Sequence, residues 1–151
     1  MITGFNHTSF TVPDITLAVS FWSDVLGFAC SGIVERRGAW VEAVTGVAGA
    51  RIKVAHLHGY GHHMEFIEYA GGTRERPTGQ PDRPGTGHVC LEVEDIRETE
   101  RIMRAAGATG VGTMTEISDP DMTPCVAGYL RDPSGIIIEL LELKSPRGGA
   151  A

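Results

Sequence analysis

The sequence has few of the features that mark whole classes of proteins. Its three cysteines show no C-x-x-C spacing, so they fit neither a disulfide framework nor a thiolate zinc site, and a reduced cytoplasm is the simplest compartment. No apolar run approaches the roughly 20 residues that span a bilayer, and the N-terminal residues lack the basic and apolar regions of a secretory signal. The net charge of −6, without a basic stripe, argues against a nucleic-acid partner.

The most informative feature that is present is a pattern that occurs twice in the 151 residues. HTSFTVPDI starts at His7 and HVCLEVEDI starts at His88, and in both copies an Asp lies seven residues after the His. MEFIE, which ends at Glu68, is echoed by IELLE, which ends at Glu142. Each half therefore runs from a histidine to a glutamate on predicted strands, and two copies supply enough ligands for a metal site.

The repeat organises the predicted secondary structure. The first half begins with a strand from Phe5 to Val12 and a helix from Ile15 to Leu26, which Asp14 caps and Gly27 ends. Strand-like segments follow at 29–34, 39–44, 50–57 and 62–69. The second half repeats this order, with a strand at 88–93, a helix at 95–106, and strands near 111–117, 126–131 and 136–143.

These elements predict an α+β fold built from two βαβββ modules. We assign residues 1–76 to the first module and residues 88–145 to the second. The stretch 77–87 is rich in glycine, proline and charge and is assigned as the linker. The tail at 146–151 is small and polar, and we expect it to fray.

Four side chains at equivalent positions of the repeat are the candidate metal ligands, namely His7, Glu65, His88 and Glu139. Glu139 lies within IIIELL, where a lone carboxylate is costly to bury and needs a cation, a hydrogen-bond network or a raised pKa. An outward-facing Glu139 at a subunit contact is one alternative, and a histidine at a strand start is often only hydrogen-bonded near a turn. The pairing of each His with a later Glu favours ligation. Imidazole and carboxylate ligands suit Zn, Ni, Co, Mn or Fe better than Ca.

These motifs, together with FWSDVLGF and LRDPSGIIIELLE, resemble those of the vicinal oxygen chelate superfamily. That superfamily includes the glyoxalases, methylmalonyl-CoA epimerase, extradiol dioxygenases, and fosfomycin- and bleomycin-resistance proteins. The resemblance covers nearly the whole chain. It implies two βαβββ modules whose strands form a curved sheet around one divalent metal, with ligands at His7, Glu65, His88 and Glu139.

The resemblance leaves three functions open. Lyases and isomerases of the family carry Glu or Gln at the fourth-strand position, so Glu65 favours a metal-dependent isomerase, epimerase or lyase that stabilises an enolate or enediolate. Glu139, Glu65 or His63 would carry the proton. One alternative is a non-haem iron extradiol-type dioxygenase, whose ligand triad does not use that position. The other is an antibiotic-binding resistance protein, a class that usually lacks a full ligand set.

The sequence analysis also gives expectations for further site residues and for binding partners. Tyr129, Cys125 and Trp40 are candidates for substrate contact, although core packing is the simpler interpretation, above all for Trp40. His58 and His62 are interpreted as residues of a solvated loop. The expected partners are a small-molecule substrate and a second copy of the chain. Binding to nucleic acid or to a membrane is not expected. The site would be completed within one chain or across the homodimer.

Overall fold

The computed structural model describes residues 1–144, and the chain divides into two compact units, Met1–Arg76 and the part that begins at Pro77. Each unit is an α+β module with one sheet of its own. In the part of the chain that the structure describes, no helix is long and apolar enough to cross a membrane. The tail expected to fray lies outside the described residues.

The first unit contains four strands in the order β1-β4-β3-β2. The strands are β1 (Thr8–Thr11), β2 (Ala29–Arg36), β3 (Ile52–Gly59) and β4 (His62–Tyr69). β1 runs parallel to β4, and the other pairs are antiparallel. The predicted strand from Phe5 is thus shorter than expected, and His7 immediately precedes it.

Helix α1 (Ile15–Ser20) covers one face of this sheet and continues into a π-helical turn, Phe21–Val25. The Asp14 carboxylate begins the helix by accepting hydrogen bonds from the backbone N–H groups of Thr16 and Leu17. In the π-helical turn, the ring of Trp22 packs edge-on against that of Phe66 on β4, with centroids 5.4 Å apart. Because side chains alternate along a strand, the opposite face of β4 is left to the odd-numbered residues.

Glu68, on strand β4, anchors the first residue of helix α1 to the sheet. Its buried carboxylate accepts a hydrogen bond from the N–H of Ile15 at 2.9 Å, and Lys53 and Arg74 lie 3.5 and 3.1 Å from its other oxygen. Burial raises the pKa of Glu68, but the hydrogen bond and the two cations outweigh burial, so the pKa is lowered below its ordinary value.

The segment 39–44, predicted as a strand, is instead helix α2 (Ala39–Thr45). Val41 is the buried residue of this helix and packs in a small core with Ala50 and Ile52. Trp40 points outward and is 54% exposed, so the expectation of core packing was wrong for this residue. A six-residue run with few polar positions fits a strand and a short helix equally well. With this segment helical, the unit has the four strands of a βαβββ module.

The second unit contains a five-stranded sheet in which β9 lies between β5 and β8. Its elements are β5 (His88–Glu92), α3 (Ile96–Ala105), β6 (Thr109–Gly110), β7 (Thr115–Ile117), β8 (Cys125–Arg131) and β9 (Ile137–Leu143). The single strand predicted at 111–117 is wrong, because two short strands, β6 and β7, pair with β8 at separate places. Glu142 accepts a hydrogen bond from the N–H of Ile96 at 2.8 Å, as Glu68 does for α1.

A tight turn aligns β8 with β9. The buried Asp132 accepts hydrogen bonds from the N–H groups of Ser134 and Ile136, both at 2.8 Å. This turn sets the register in which Tyr129 lies directly opposite Glu139.

Candidate metal centre

The first unit brings His7 and Glu65 together, as the repeat predicts. His7 Nε2 lies 3.3 Å from Glu65 Oε1. Glu65 is on the face of β4 that α1 does not cover, and its side chain is 15% exposed. The parallel pairing of β1 with β4 brings His7 beside this face.

A hydrogen bond at the other ring nitrogen of His7 shows how the pair is arranged. His7 Nδ1 lies 2.7 Å from the side-chain oxygen of Asn6. An amide oxygen only accepts, so Nδ1 carries a hydrogen and Nε2 is the nitrogen that faces Glu65. Metal-binding histidines typically have this arrangement, with the distal N–H held by a neighbouring oxygen.

The second unit brings His88 and Glu139 together in the same way. His88 Nε2 lies 3.1 Å from Glu139 Oε2. Glu139 is half-buried between Ile138 and Leu140, which are both fully buried. The ring of Tyr129 lies 5.0 Å from that of His88, so this predicted substrate-binding residue lies against the pair.

Cys90 is a neighbour of this pair that the sequence analysis did not select. It lies opposite Glu139 in the register of β5 with β9 and hydrogen-bonds to it. Burial, followed by the charge and hydrogen bond of Glu139, raises the pKa of Cys90 to about 11. Burial and the charge of Glu139 also raise the pKa of Tyr129. Both groups therefore keep their protons at neutral pH. The two-residue spacing of Cys90 from His88 was the sequence feature that could have identified it.

Three further histidines, His56, His58 and His63, lie on β3 and β4 on the same face as Glu65, and we call them the histidine cluster. His56 Nε2 lies 3.8 Å from Glu65 Oε2, and His56 Nδ1 lies 3.1 Å from His63 Nε2. The rings of His58 and His63 stack, with centroids 4.2 Å apart. His58 is therefore a strand residue and not part of a solvated loop, whereas His62 is exposed at the start of β4.

His63, a candidate proton carrier, is held in its neutral form by these neighbours. Burial and the nearby rings of His58, His56 and His7 lower its pKa, although its hydrogen bond to the carbonyl of Asn6 acts in the opposite direction.

The remaining predicted site residues are Cys125 and Trp40. Cys125 is buried at the start of β8, opposite Leu143, and Trp40 lies exposed on α2. Within residues 1–144, no group of three or more His, Cys, Asp or Glu side chains is placed so that it could hold a metal ion. The four-ligand site stays a prediction that rests on one His–Glu pair in each unit.

The fold and the two pairs define a protein of two βαβββ modules, each with a histidine beside a strand-borne glutamate. A model of the Glyoxalase/Bleomycin resistance protein/Dioxygenase superfamily matches residues 4–140, and the chain belongs to this superfamily. This confirms the resemblance found in the sequence.

Individual relatives are distant. The chain is 28% identical to 2-epi-5-epi-valiolone epimerase of Actinomyces sp over 144 residues, covering 91% of this chain and 78% of the relative. It is 25% identical to lactoylglutathione lyase of Pseudomonas putida over 166 residues, covering 91% and 84%. A crystal structure of a glyoxalase family protein from Bacillus cereus superimposes with a TM-score of 0.83 at 23% identity, over 96% of this chain and 97% of the other. That similarity confirms the fold.

Proposed function

We propose that this protein is a metal-dependent isomerase, epimerase or lyase that moves a proton at a carbon beside a carbonyl group of a small oxygenated substrate. The observation that supports this most directly is the pairing of His7 with Glu65 and of His88 with Glu139 at 3.3 and 3.1 Å. The names of two relatives, an epimerase and a lyase, support the same class of reaction.

Under this proposal, one divalent ion, Zn, Ni, Co, Mn or Fe, is held by His7, Glu65, His88 and Glu139. Such an ion supplies a Lewis acid that polarises a substrate oxygen and so makes the neighbouring C–H group more acidic. The donor set fits the ion, because imidazole and carboxylate groups are usual ligands of these metals and the hydrogen bond from His7 Nδ1 to Asn6 leaves Nε2 as the nitrogen that faces Glu65.

Protein groups around Glu139 can move the proton. Glu139 lies beside His88 on the half-buried strand β9, so its carboxylate is placed to accept the proton. The Cys90 thiol keeps its proton and positions Glu139 by a hydrogen bond, so it does not act as a nucleophile. The Tyr129 phenol keeps its proton and can donate a hydrogen bond to a substrate oxygen. Glu65 and His63 are the alternative proton carriers in the first unit.

The test is exchange of a substrate C–H proton with deuterated solvent, followed by NMR. A panel of α-hydroxyketones, hemithioacetals of 2-oxoaldehydes and acyl-CoA thioesters would be assayed with added Zn, Ni, Co or Mn. We expect exchange on at least one class without oxygen uptake, and loss of exchange in Glu139→Gln. Glu142→Gln, on the same strand, is the matched control and should retain exchange.

Two results would contradict the proposal. Oxygen-dependent ring cleavage of a catechol, with no exchange on the panel, would assign the dioxygenase function. Tight binding of an antibiotic such as fosfomycin, with no turnover and no stoichiometric metal, would assign the resistance function.

A further inference from the structure

The first unit has a cleft that contains none of the predicted metal ligands. It encloses about 250 Å³ at the end of the sheet where β2 ends and β3 begins. Its charged lining residues are Glu35, Arg36, Arg37, Arg51, Lys53 and Glu68, and we call it the arginine cleft. The proposed function gives this cleft no role.

The arginine cleft lies on the opposite face of the sheet from Glu65. Glu35 pairs with Lys53 across β2 and β3, and Lys53 pairs with Glu68 across β3 and β4. Residues that pair directly across strands project from the same face. Glu68 projects toward α1, where it accepts the hydrogen bond from Ile15, whereas Glu65 projects from the other face. A ligand in the cleft is therefore separate from a substrate that contacts Glu65.

The cleft has an excess of positive charge in a chain whose net charge is −6. Four cationic and two carboxylate side chains line it. The Glu68 carboxylate is already compensated, because Lys53 and Arg74 lie 3.5 and 3.1 Å from one of its oxygens. In the part of the chain that the structure describes, no ion pair joins any of the three lining arginines to a carboxylate. Three guanidinium groups thus line a small space in which Glu35 is the remaining carboxylate.

Charge and size together indicate the class of ligand. A guanidinium group presents N–H donors in a planar fork that matches the oxygens of a phosphate group. The excess of two positive charges matches a phosphate monoester, which carries about 1.5–2 negative charges at pH 7. Pockets for drug-sized ligands enclose roughly 300–1,000 Å³. The smaller volume of the arginine cleft fits a compact molecule.

We infer that the arginine cleft binds a compact phosphate dianion, as inorganic phosphate or as a small phosphomonoester. Arg36, Arg37 and Arg51 are exposed, so the anion can reach all three from solvent. A hydrogen bond from the guanidinium of Arg36 to the carbonyl of Glu35 holds that arginine beside the cleft. The inference goes beyond the proposed function and does not depend on a metal ion.

The experiment is a titration of the untagged chain, followed by amide NMR in buffer without added metal. Inorganic phosphate, glycerol phosphate and acetate are the separate probes. We expect saturable binding of a phosphate probe, with the largest shifts at residues 35–37 and 51–53. Tighter binding of glycerol phosphate would assign a phosphomonoester, and tighter binding of inorganic phosphate would assign the free ion. Absence of saturable binding, shifts confined to other residues, or equally tight binding of acetate overturns the inference.

A pair of arginine variants tests whether the cleft holds the anion. Arg51→Gln should weaken phosphate binding about tenfold or more, since a hydrogen bond to a charged group contributes that much. Arg83→Gln removes an exposed arginine that does not line the cleft, and it should bind phosphate as the wild type does. An unchanged affinity in Arg51→Gln, or an equal loss in both variants, overturns the assignment.

A pair of glutamate variants tests the opposite change. Glu35→Gln should tighten phosphate binding, because it removes the carboxylate of the cleft that no cation compensates within the described residues. Glu94→Gln removes an exposed carboxylate outside the cleft and is the control. Weaker binding in Glu35→Gln, or the same gain in both variants, contradicts a phosphate site at this position.

Discussion

At the scale of single residues, the structure gives different roles to the two glutamates that lie three residues apart in each copy of the repeat. Glu65 and Glu139 face histidines. Glu68 and Glu142, three residues later, accept hydrogen bonds from the first N–H groups of α1 and α3. A spacing of three puts the two glutamates on opposite faces of a strand, so each copy of the repeat contains one candidate ligand and one helix anchor.

The two roles predict opposite effects in matched variants. Glu139→Ala should lose most bound metal and activity, while the metal-free protein is not destabilised, because a costly half-buried carboxylate is removed. Glu142→Ala should keep the metal but lose about 1–3 kcal/mol of unfolding free energy, since the N–H of Ile96 is left without its acceptor. Metal analysis and urea unfolding measure both. Full metal and full turnover in Glu139→Ala would make Glu139 a structural residue.

The lowered pKa of Glu68 predicts part of the acid sensitivity of the fold. A carboxyl group whose pKa is lower in the folded state stabilises the protein above its unfolded value, near 4.5, and this contribution is lost as the pH falls through the lower folded value. Wild-type unfolding free energy should therefore decline below about pH 4.5. In Glu68→Gln the decline should be smaller, because that group no longer titrates. Urea unfolding from pH 7 to pH 3 is the measurement, and parallel curves for both proteins would contradict this prediction.

At the scale of elements, local chemistry predicted the starts of α1 and α3 and most strands. Asp14 and Asp95 cap their helices as expected, and β4 has the predicted bounds. The histidine cluster could not be predicted, because it depends on the register of β3 with β4. Tyr60 and Gly61, both with positive φ, form the tight turn that places His56 beside Glu65 and His58 beside His63. Sequence analysis interpreted that turn as a longer loop.

Helix α2, which the sequence analysis missed, allows a prediction about its C-terminal cap. It ends at Gly46, which has a φ of 70° and donates its N–H to the carbonyl of Glu42. Nothing lies within 4 Å of an added Cβ there, so Gly46→Ala isolates the backbone strain, which should cost about 1–2 kcal/mol. Gly112→Ala, also in open space but without positive φ, is the control and should change stability little. Equal effects in thermal unfolding would refute the role of the cap.

At the scale of the whole molecule, exposed apolar side chains support the expectation of a homodimer. Ile33 and Val34 on the edge strand β2, and Trp40 and Val44 on α2, are each at least 40% exposed. Large apolar residues exposed on two consecutive elements are typical of surfaces that a partner covers. We expect a dimer in sedimentation experiments, and Val34→Lys together with Trp40→Lys should weaken it. A wild type that sediments as a monomer at micromolar concentration would contradict this expectation.

The proposed metal site takes ligands from both units, so a variant in either unit tests the four-ligand proposal. His7→Ala and His88→Ala should each lose the bound metal ion and activity, although they alter different units, because neither remaining His–Glu pair holds the ion alone. Retention of that ion in either variant would contradict the four-ligand proposal.

Refolding the two inactive variants together then shows which chains build the site. If a site uses the first unit of one chain and the second unit of another, a mixed dimer regains one intact site, because it combines the unaltered first unit of one variant with the unaltered second unit of the other. If each chain builds its own site, both chains of every dimer remain defective and no activity returns.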